Sequence, residues 1–437
     1  MIKALEVFLW DIKVGTLVEY KEKWDSKVCF YFDEGFAPHG YDIAPLRAPI
    51  NGVLRKGTLP VYPEKDKIFM GLPSFIADSL PDSWGQSVFK AWAKSQGIST
   101  KKLSVLDNLA YMGIRAMGAL EFVPPLTNEL ETPFKVEISN LYDFSQKILK
   151  EVKDLHIGMP ENLEIQSLMK IGTSAGGRRS KAVINVNETR TDFYSGQVDS
   201  PEPGYEPMII KFDEKGEVPT TRIEYSYYLM AKDAGLNMMH CELLESNGTV
   251  HFLTRRFDRE NGEKVHVQTL AALDPLSDSY EALFNVACSL KVPEKEKEQI
   301  FRAMVLNVIT GNVDDHNKNF GFMMRKDGVW HFAPTYDYTF AVDLSAMEFM
   351  NRHSMNINGK NDDIKREDIM EIARLYNIRG ANSILEKLIN VAKQYNGYAR
   401  LAGLNNEWRN RISSEISRRI QGLDAMEQHV KLSGLKR

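Results

Sequence analysis

Gly311-Asn312-Val313-Asp314-Asp315-His316-Asn317-Lys318-Asn319-Phe320 is the stretch that decides the fold. Just upstream, Glu296 to Thr310 carries Ile300, Met304 and Val308 with Phe301, Val305 and Ile309 on one broad apolar face, the spacing of an amphipathic helix. Gly311 reads as its stop. Downstream, Phe320 to Met324 and Val329 to Phe332 flank Asp327-Gly328, a strong hairpin signal. Such a hairpin would bring Asp337, in Tyr336-Asp337-Tyr338, back beside Asn319.

A bland reading exists, because Asp and Asn gather in turns where they accept local backbone bonds. His316 could also be a metal ligand in a hydrolase. The spacing favours another chemistry. Asp314 to Asn319 reproduces the base-to-Asn interval of a phosphoryl-transfer catalytic loop, and a second Asp after a turn back completes its parts. Asp314 is then the base, Asn319 and Asp337 are Mg²⁺ ligands, and Asp315 is a solvated or turn-stabilising carboxylate. Phosphoryl transfer needs little covalent chemistry from the protein, only carboxylates and amides set around Mg²⁺ and a hydroxyl. A hydrolase would show further ligands at helical spacing, and none of the nine histidines clusters.

Earlier in the chain, Gln166 to Ile171 and Lys181 to Val186 read as strands around Gly172-Thr173-Ser174-Ala175-Gly176-Gly177-Arg178-Arg179-Ser180. That loop could cradle phosphates on backbone N–H groups, with Arg178, Arg179 and Lys181 adding charge, or be a hairpin with a solvated basic tip. Lys211 ends the short strand Met208 to Phe212. It could pair with nucleotide phosphates, or simply snorkel at a strand end. Glu224 opens a helix running to Ala234. It could pair with Lys211, but Thr221-Arg222-Ile223-Glu224 also fits a capping box, the reading ranked first. Asp192 to Tyr205 reads as a surface loop. Cys241 to Leu244 and Val250 to Thr254 read as a hairpin about Asn247-Gly248.

Residues up to about 125 read mostly as short strands with turn signals, followed by a broken helix over Ser74 to Gln96 with Pro81 at the break. Thr127 to Pro133 resembles a linker, Tyr142 to Val152 a helix, and the chain from about Ser277 onward is mostly helical. With 437 residues, 43% hydrophobic and 26% charged, a globular protein of two or three domains is expected. The net charge of −4 excludes a generic nucleic-acid binder. Three scattered cysteines without a CxxC pair argue against a zinc ribbon or a disulfide framework and suit a reducing cytoplasm. The N-terminal residues do not read as a signal peptide, and no apolar run is long enough to span a membrane.

Taken together, certain stretches resemble the HipA-type serine/threonine kinases, toxin components of bacterial toxin–antitoxin modules, over nearly the whole chain. They are Leu72-Pro73-Ser74-Phe75, Leu80-Pro81-Asp82-Ser83-Trp84-Gly85, Met117-Gly118-Ala119-Leu120-Glu121-Phe122, Ser174 to Gly177, Arg256-Phe257-Asp258-Arg259, Gly311 to Phe320 and Pro334 to Asp337. The resemblance implies an α+β, protein-kinase-like two-lobed fold. A β-rich N-terminal subdomain would cover 1–125, a linker and helix 126–160, a nucleotide-binding lobe 161–258, and a helical lobe with the catalytic loop 259–437. It implies ATP and Mg²⁺ as cofactors, with Asp314 as base, Asn319 and Asp337 on the metal, and Lys211 on the ATP phosphates. Ala175, Gly176, Gly177 and Lys181 would belong to the phosphate loop. Arg255 and Phe257, in the hinge Thr254 to Phe257, would offer backbone groups to adenine, and His316 and Tyr336 would line the pocket. An inhibitory phosphorylation site falls at Thr173 or Ser174. Phosphate there would put negative charge where ATP phosphates bind.

The implied partners are a helix-turn-helix antitoxin resembling HipB and a protein substrate, an aminoacyl-tRNA synthetase or a translation factor. DNA would be reached only through the antitoxin, and no membrane is involved. A second reading is a catalytically silent module acting as co-repressor with that antitoxin; intact Lys211, Asp314, Asn319 and Asp337 speak against silence. A third is a small-molecule kinase on the same scaffold, against which the N-terminal block speaks.

Overall fold

The computed structural model describes residues 2–22, 25–54, 60–126, 134–153, 179–196, 203–214, 216, 218–346 and 351–433. By its contacts the chain divides into two units. One comprises Met1–Gly216, Glu242–Gln268 and Met323–Val329; the other comprises Glu217–Cys241, Thr269–Phe322 and Trp330–Arg437. The fold is mixed α and β, with sheets in the N-terminal part and helices in the C-terminal part, as the sequence led us to expect.

In the first unit, β1 (Ala4–Leu9), β2 (Ile12–Glu22), β3 (Asp25–Phe32) and β4 (Leu120–Val123) form an antiparallel sheet in the order β3-β2-β1-β4. Side chains alternate along it, so Leu5, Val7 and Leu9 of β1 are buried while their neighbours are not. The chain then makes a one-turn helix at Ser74–Ala77, breaks at Pro81, and starts α1 (Ser83–Ser95) under the cap of Asp82, whose Oδ1 accepts from the Gly85 N–H at 2.6 Å. Helix α2 (Val105–Met112) starts with a full capping box between Ser104 and Asp107. Helix α3 (Ile138–Lys153) covers the helix expected over Tyr142 to Val152.

A second sheet of the same unit has the order β6-β5-β7-β9-β8, built from β5 (Lys181–Asn187), β6 (Phe193–Ser195), β7 (Tyr205–Lys211), β8 (Cys241–Ser246) and β9 (Thr249–Arg255). The β8–β9 turn has φ of 48° at Asn247 and 75° at Gly248, the left-handed pair that a tight hairpin requires. Strand β6 corrects the expected surface loop. Phe193-Tyr194-Ser195 pairs with β5, and its outer side takes Val136 N–H on the Phe193 carbonyl and gives Ser195 N–H to the Phe134 carbonyl, each at 2.9 Å. Three residues are too short for a period to show in sequence.

The second unit is helical: α4 (Thr220–Ala234), α5 (Tyr280–Ser289), α6 (Glu294–Thr310), α7 (Arg366–Leu375), α8 (Ala381–Ala392), α9 (Tyr395–Leu401) and α10 (Asn406–Ser433). Helix α6 is its centre. Ile300, Phe301, Met304, Val305, Leu306 and Ile309 are buried, each contributing about 1.5–3 kcal/mol on full burial, and α8 and α10 pack against it. Two expectations are corrected. The helical run from Ser277 is interrupted, because the described part of 338–365 holds no helix; Asp343, Asn351, Asn358, Gly359 and Asp363 there favour turns. The capping box at Thr221 and Glu224 does not form. Pro219 is the N-cap, without a side-chain cap, and Glu224 is buried within the helix. Among the described residues no helix is long and apolar enough to cross a membrane.

Candidate active site

Helix α6 ends on Gly311 at φ +74°, the left-handed region that a side chain resists. Space adds a second reason for glycine: a Cβ here would lie 2.9 Å from Val342 Cγ2 and 3.2 Å from Arg419 Nε. The chain leaves the helix into the Asn312–Phe320 loop. Its turn is closed by Asn319, whose N–H donates to the His316 carbonyl at 2.8 Å and whose Nδ2 donates to the Asp314 carbonyl at 2.7 Å. The interval of five residues is thus the span that lets an Asn side chain tie back to the Asp backbone. The Asp314 side chain is left 70% exposed, with His316 Nε2 3.9 Å from its Oδ1.

The return of the chain is held in several places. Ala333 N–H donates to the Gly321 carbonyl at 2.9 Å, and Tyr336 Oη donates to the Lys318 carbonyl at 2.9 Å. Thr335 N–H donates to the Asn237 carbonyl at 2.8 Å. Tyr338 is buried, its hydroxyl 2.9 Å from Thr310 Oγ1. Asp337 lies between these anchors at φ +51°, a left-handed backbone costing a non-glycine residue about 1–2 kcal/mol. Strain held by flanking anchors is a mark of a functional position.

This donor set fits a hard cation. Asn319 commits its amide N–H to the loop, which leaves its amide oxygen to accept, and amide and carboxylate oxygens of the kind Asn319 and Asp337 carry suit Mg²⁺. Among the described residues no three His, Cys, Asp or Glu side chains gather into a metal cluster.

Asp315 departs from the sequence reading. It is not solvated but fully buried, accepting from Tyr280 Oη at 2.8 Å, from the Ser354 N–H at 2.8 Å and from His353 Nδ1 at 2.9 Å.

The remaining candidates belong to the first unit. Lys211 ends β7, with Nζ 5.8 Å from the centroid of the Phe252 ring, a cation–π distance. Directly opposite it in register on β5 is Lys181. Lys181 is only 3% exposed and its ammonium meets Asp82 Oδ2 at 2.9 Å, while Trp84 Nε1 donates to its carbonyl at 2.8 Å. The cap of α1 therefore doubles as the counter-charge of Lys181. Arg255 and Phe257 lie at the end of β9, Arg255 exposed and 3.9 Å from Glu206. Between them, Arg256 turns inward to Asp258 with bonds of 2.8 and 2.7 Å, and Arg259 reaches the same carboxylate at 2.8 Å. The Gly118 N–H donates to Asp258 at 2.8 Å. Burial pushes the Asp258 carboxyl up, but the two guanidiniums outweigh it and hold it far below the usual carboxylate range.

Behind the end of β7, His251 is buried against Tyr142 and Phe212, and its Nδ1 accepts from the Asp213 N–H at 3.3 Å. Burial lowers its pKa to about 4. Asp82, His251, Asp258 and His353 were not singled out from sequence as individual site residues. Asp82 and Asp258 did carry a signal, sitting inside the quoted stretches Pro81-Asp82-Ser83-Trp84-Gly85 and Arg256-Phe257-Asp258-Arg259. Thr173, Ser174, Ala175, Gly176 and Gly177 lie outside the described residues.

A family model described as HipA-like C-terminal domain matches residues 173–396, and one described as HipA N-terminal domain matches residues 5–123. The serine/threonine-protein kinase toxin HipA of Shewanella oneidensis is 22% identical over 371 residues, 78% of this chain and 76% of that protein. A chain in the solved complex of the Shewanella oneidensis MR-1 toxin–antitoxin system HipA, HipB and its operator DNA is similar in structure. Its TM-score is 0.65 at 17% identity, covering 96% of this chain and 97% of that one, a likeness of fold.

Proposed function

Because the chain belongs to the HipA-like family, with a model of that family spanning more than half of it, we propose that it is an ATP- and Mg²⁺-dependent serine/threonine protein kinase and the toxin of a toxin–antitoxin module. The observation that carries this reading is the Asn312–Phe320 loop. Its Asn319 is tied to the backbone of Asp314, the Asp314 carboxylate is exposed, and Asp337 is held in a strained backbone on the returning chain.

In this reading Asp314 accepts the proton of the substrate hydroxyl as it attacks, and Asn319 fixes the loop so that the carboxylate stays presented. Asn319 and Asp337 would hold Mg²⁺, which supplies neutralisation of the charge on the transferring phosphoryl group. Lys211 answers the phosphate charge from the strand end, and the backbone groups of Arg255 and Phe257 receive the adenine edge. Lys181, its charge answered by Asp82, serves the sheet instead of the nucleotide. Phosphorylation of Thr173 or Ser174 would switch the enzyme off by putting negative charge on the phosphate loop. A HipB-like helix-turn-helix antitoxin is the proposed partner, following the assembly in which the structurally similar chain was solved.

The test is transfer from γ-labelled ATP with Mg²⁺, to the protein itself and to lysate proteins, in wild type, Asp314→Ala and Asp337→Ala. We expect transfer by wild type and a loss of at least about a hundredfold in each variant, the scale of a lost catalytic base or metal ligand. Absence of transfer by wild type would leave the silent co-repressor as the better account.

A further inference from the structure

Past Asp337 the described residues form no helix before Arg366, and at His353–Ile357 the chain lies along the Asn312–Phe320 loop. The Ser354 N–H donates to Asp315 Oδ1 at 2.8 Å and to the Val313 carbonyl at 3.2 Å, and the Ser354 hydroxyl donates to the same carbonyl at 3.2 Å. His353 Nδ1 meets Asp315 Oδ2 at 2.9 Å. On the other flank, Asn356 N–H donates to the Asp278 carbonyl at 2.7 Å and Tyr280 N–H to the Asn356 carbonyl at 2.9 Å. The Tyr280 hydroxyl donates to Asp315 and accepts from Asn307 Nδ2 at 2.8 Å. One fully buried carboxylate thus gathers the end of α6, the start of α5 and the segment after Asp337, all within the helical unit.

A buried carboxylate is costly to desolvate unless every strong acceptor site is answered, and Asp315 has three donors from two separate parts of the chain. Removing a donor from so closed a cluster leaves a charge that water cannot reach. In many phosphoryl-transfer enzymes the segment after the metal-binding Asp is ordered by phosphorylation, which creates new pairs between phosphate and Arg. The same task is met here with the charges exchanged. The fixed anion belongs to the loop itself, one residue past the candidate base, and the segment supplies the donors.

We propose that Asp315 and His353 form a built-in latch that docks the segment after Asp337 onto the catalytic loop without phosphorylation of that segment, and so holds Asp314 in its working position. Both are positioning residues; neither touches the reacting atoms. The catalytic half of the proposal rests on the kinase reading above. The docking half does not.

The experiment pairs hydrogen exchange of the nucleotide-free full chain with transfer kinetics from γ-labelled ATP and Mg²⁺, in wild type, His353→Ala, His353→Gln and Asp315→Asn. We expect His353→Ala to speed exchange at the amides of 354–357 about tenfold or more. It should lower kcat by about tenfold or more with KM for ATP within about threefold, the pattern of an interaction that acts on the chemical step and not on nucleotide binding. His353→Gln, which keeps a donor, should recover part of both losses even if Asp315→Asn folds poorly. Active wild-type protein should carry no phosphate on Thr339, Ser345 or Ser354. Unchanged exchange in His353→Ala overturns the latch, as does a phosphate within this segment on which activity depends. A wild type that transfers nothing, while exchange still rises in His353→Ala, keeps the docking and sinks the kinase reading instead.

Discussion

Acidification from about pH 7 to about pH 4 should destabilise the first unit through two histidines, because both are stored there in their neutral form. His251 and His266 are almost wholly buried, and burial lowers each pKa from 6.5 to about 4, against smaller opposing effects from Asp213 and from the Ile43 backbone. In the unfolded chain both rings take up protons near pH 6.5, while in the folded chain they stay neutral until about pH 4. The unfolded state therefore binds more protons throughout that window. The stability these rings contribute is complete above pH 6.5 and is lost as the pH falls towards 4. A displacement of about 2.5 units is worth on the order of 3 kcal/mol per ring, a large share of the roughly 5–15 kcal/mol that folded domains possess. With both rings titrating, the free energy of unfolding should fall by up to about 2.7 kcal/mol per pH unit, and by about half that once one is removed. Urea unfolding at several pH values, in wild type, His266→Phe and His251→Gln, measures this slope; the glutamine keeps an acceptor for the Asp213 N–H. A wild-type stability that is flat across the window, or the same slope in both variants, would refute the reasoning.

Two further perturbations test the frame around the site. Asp258→Ala leaves Arg256 and Arg259 buried without their shared carboxylate and should destabilise by about 3–5 kcal/mol in urea unfolding. Asp258→Asn, which restores some hydrogen bonds but no charge, should fall between it and wild type. Gly311→Ala adds the cost of a left-handed alanine, about 1–2 kcal/mol, to a crowding of Val342 and Arg419 worth about 1–3 kcal/mol, and should lower Tm by several degrees.

Where the chain writes its structure in local spacing, the sequence could be read. Helix α6, its stop at Gly311, the hairpin at Asn247-Gly248 and the strands ending in Lys211 each depend on a period or a turn within a few residues. The Asp314-to-Asn319 interval was readable for the same reason, since the bond it allows closes within the loop. What escaped was settled by distant partners. Asp314 and Asp315 are the same letter twice, and it takes Tyr280, His353 and Ser354, 35, 38 and 39 positions away from Asp315, to decide which carboxylate is buried. Lys181 reads as part of a basic loop until Asp82, 99 positions earlier, is seen to neutralise it. At Glu224 a local rule was present but outcompeted, because Pro219 starts the helix ahead of the expected cap.

The register that sets Lys181 opposite Lys211 has a consequence for how the two halves of this chain depend on one another. Like charges facing each other across an antiparallel pair repel, and one of these two is shut away from water. Asp82, from the N-terminal sequence, removes half of that charge. The first hundred or so residues thus act toward the sheet of β5 and β7 as a tethered counterion, always present at one equivalent. A version of this protein pared down to its C-terminal half would begin its sheet without the carboxylate that Lys181 meets, and the strand carrying Lys211 would be the first to feel it.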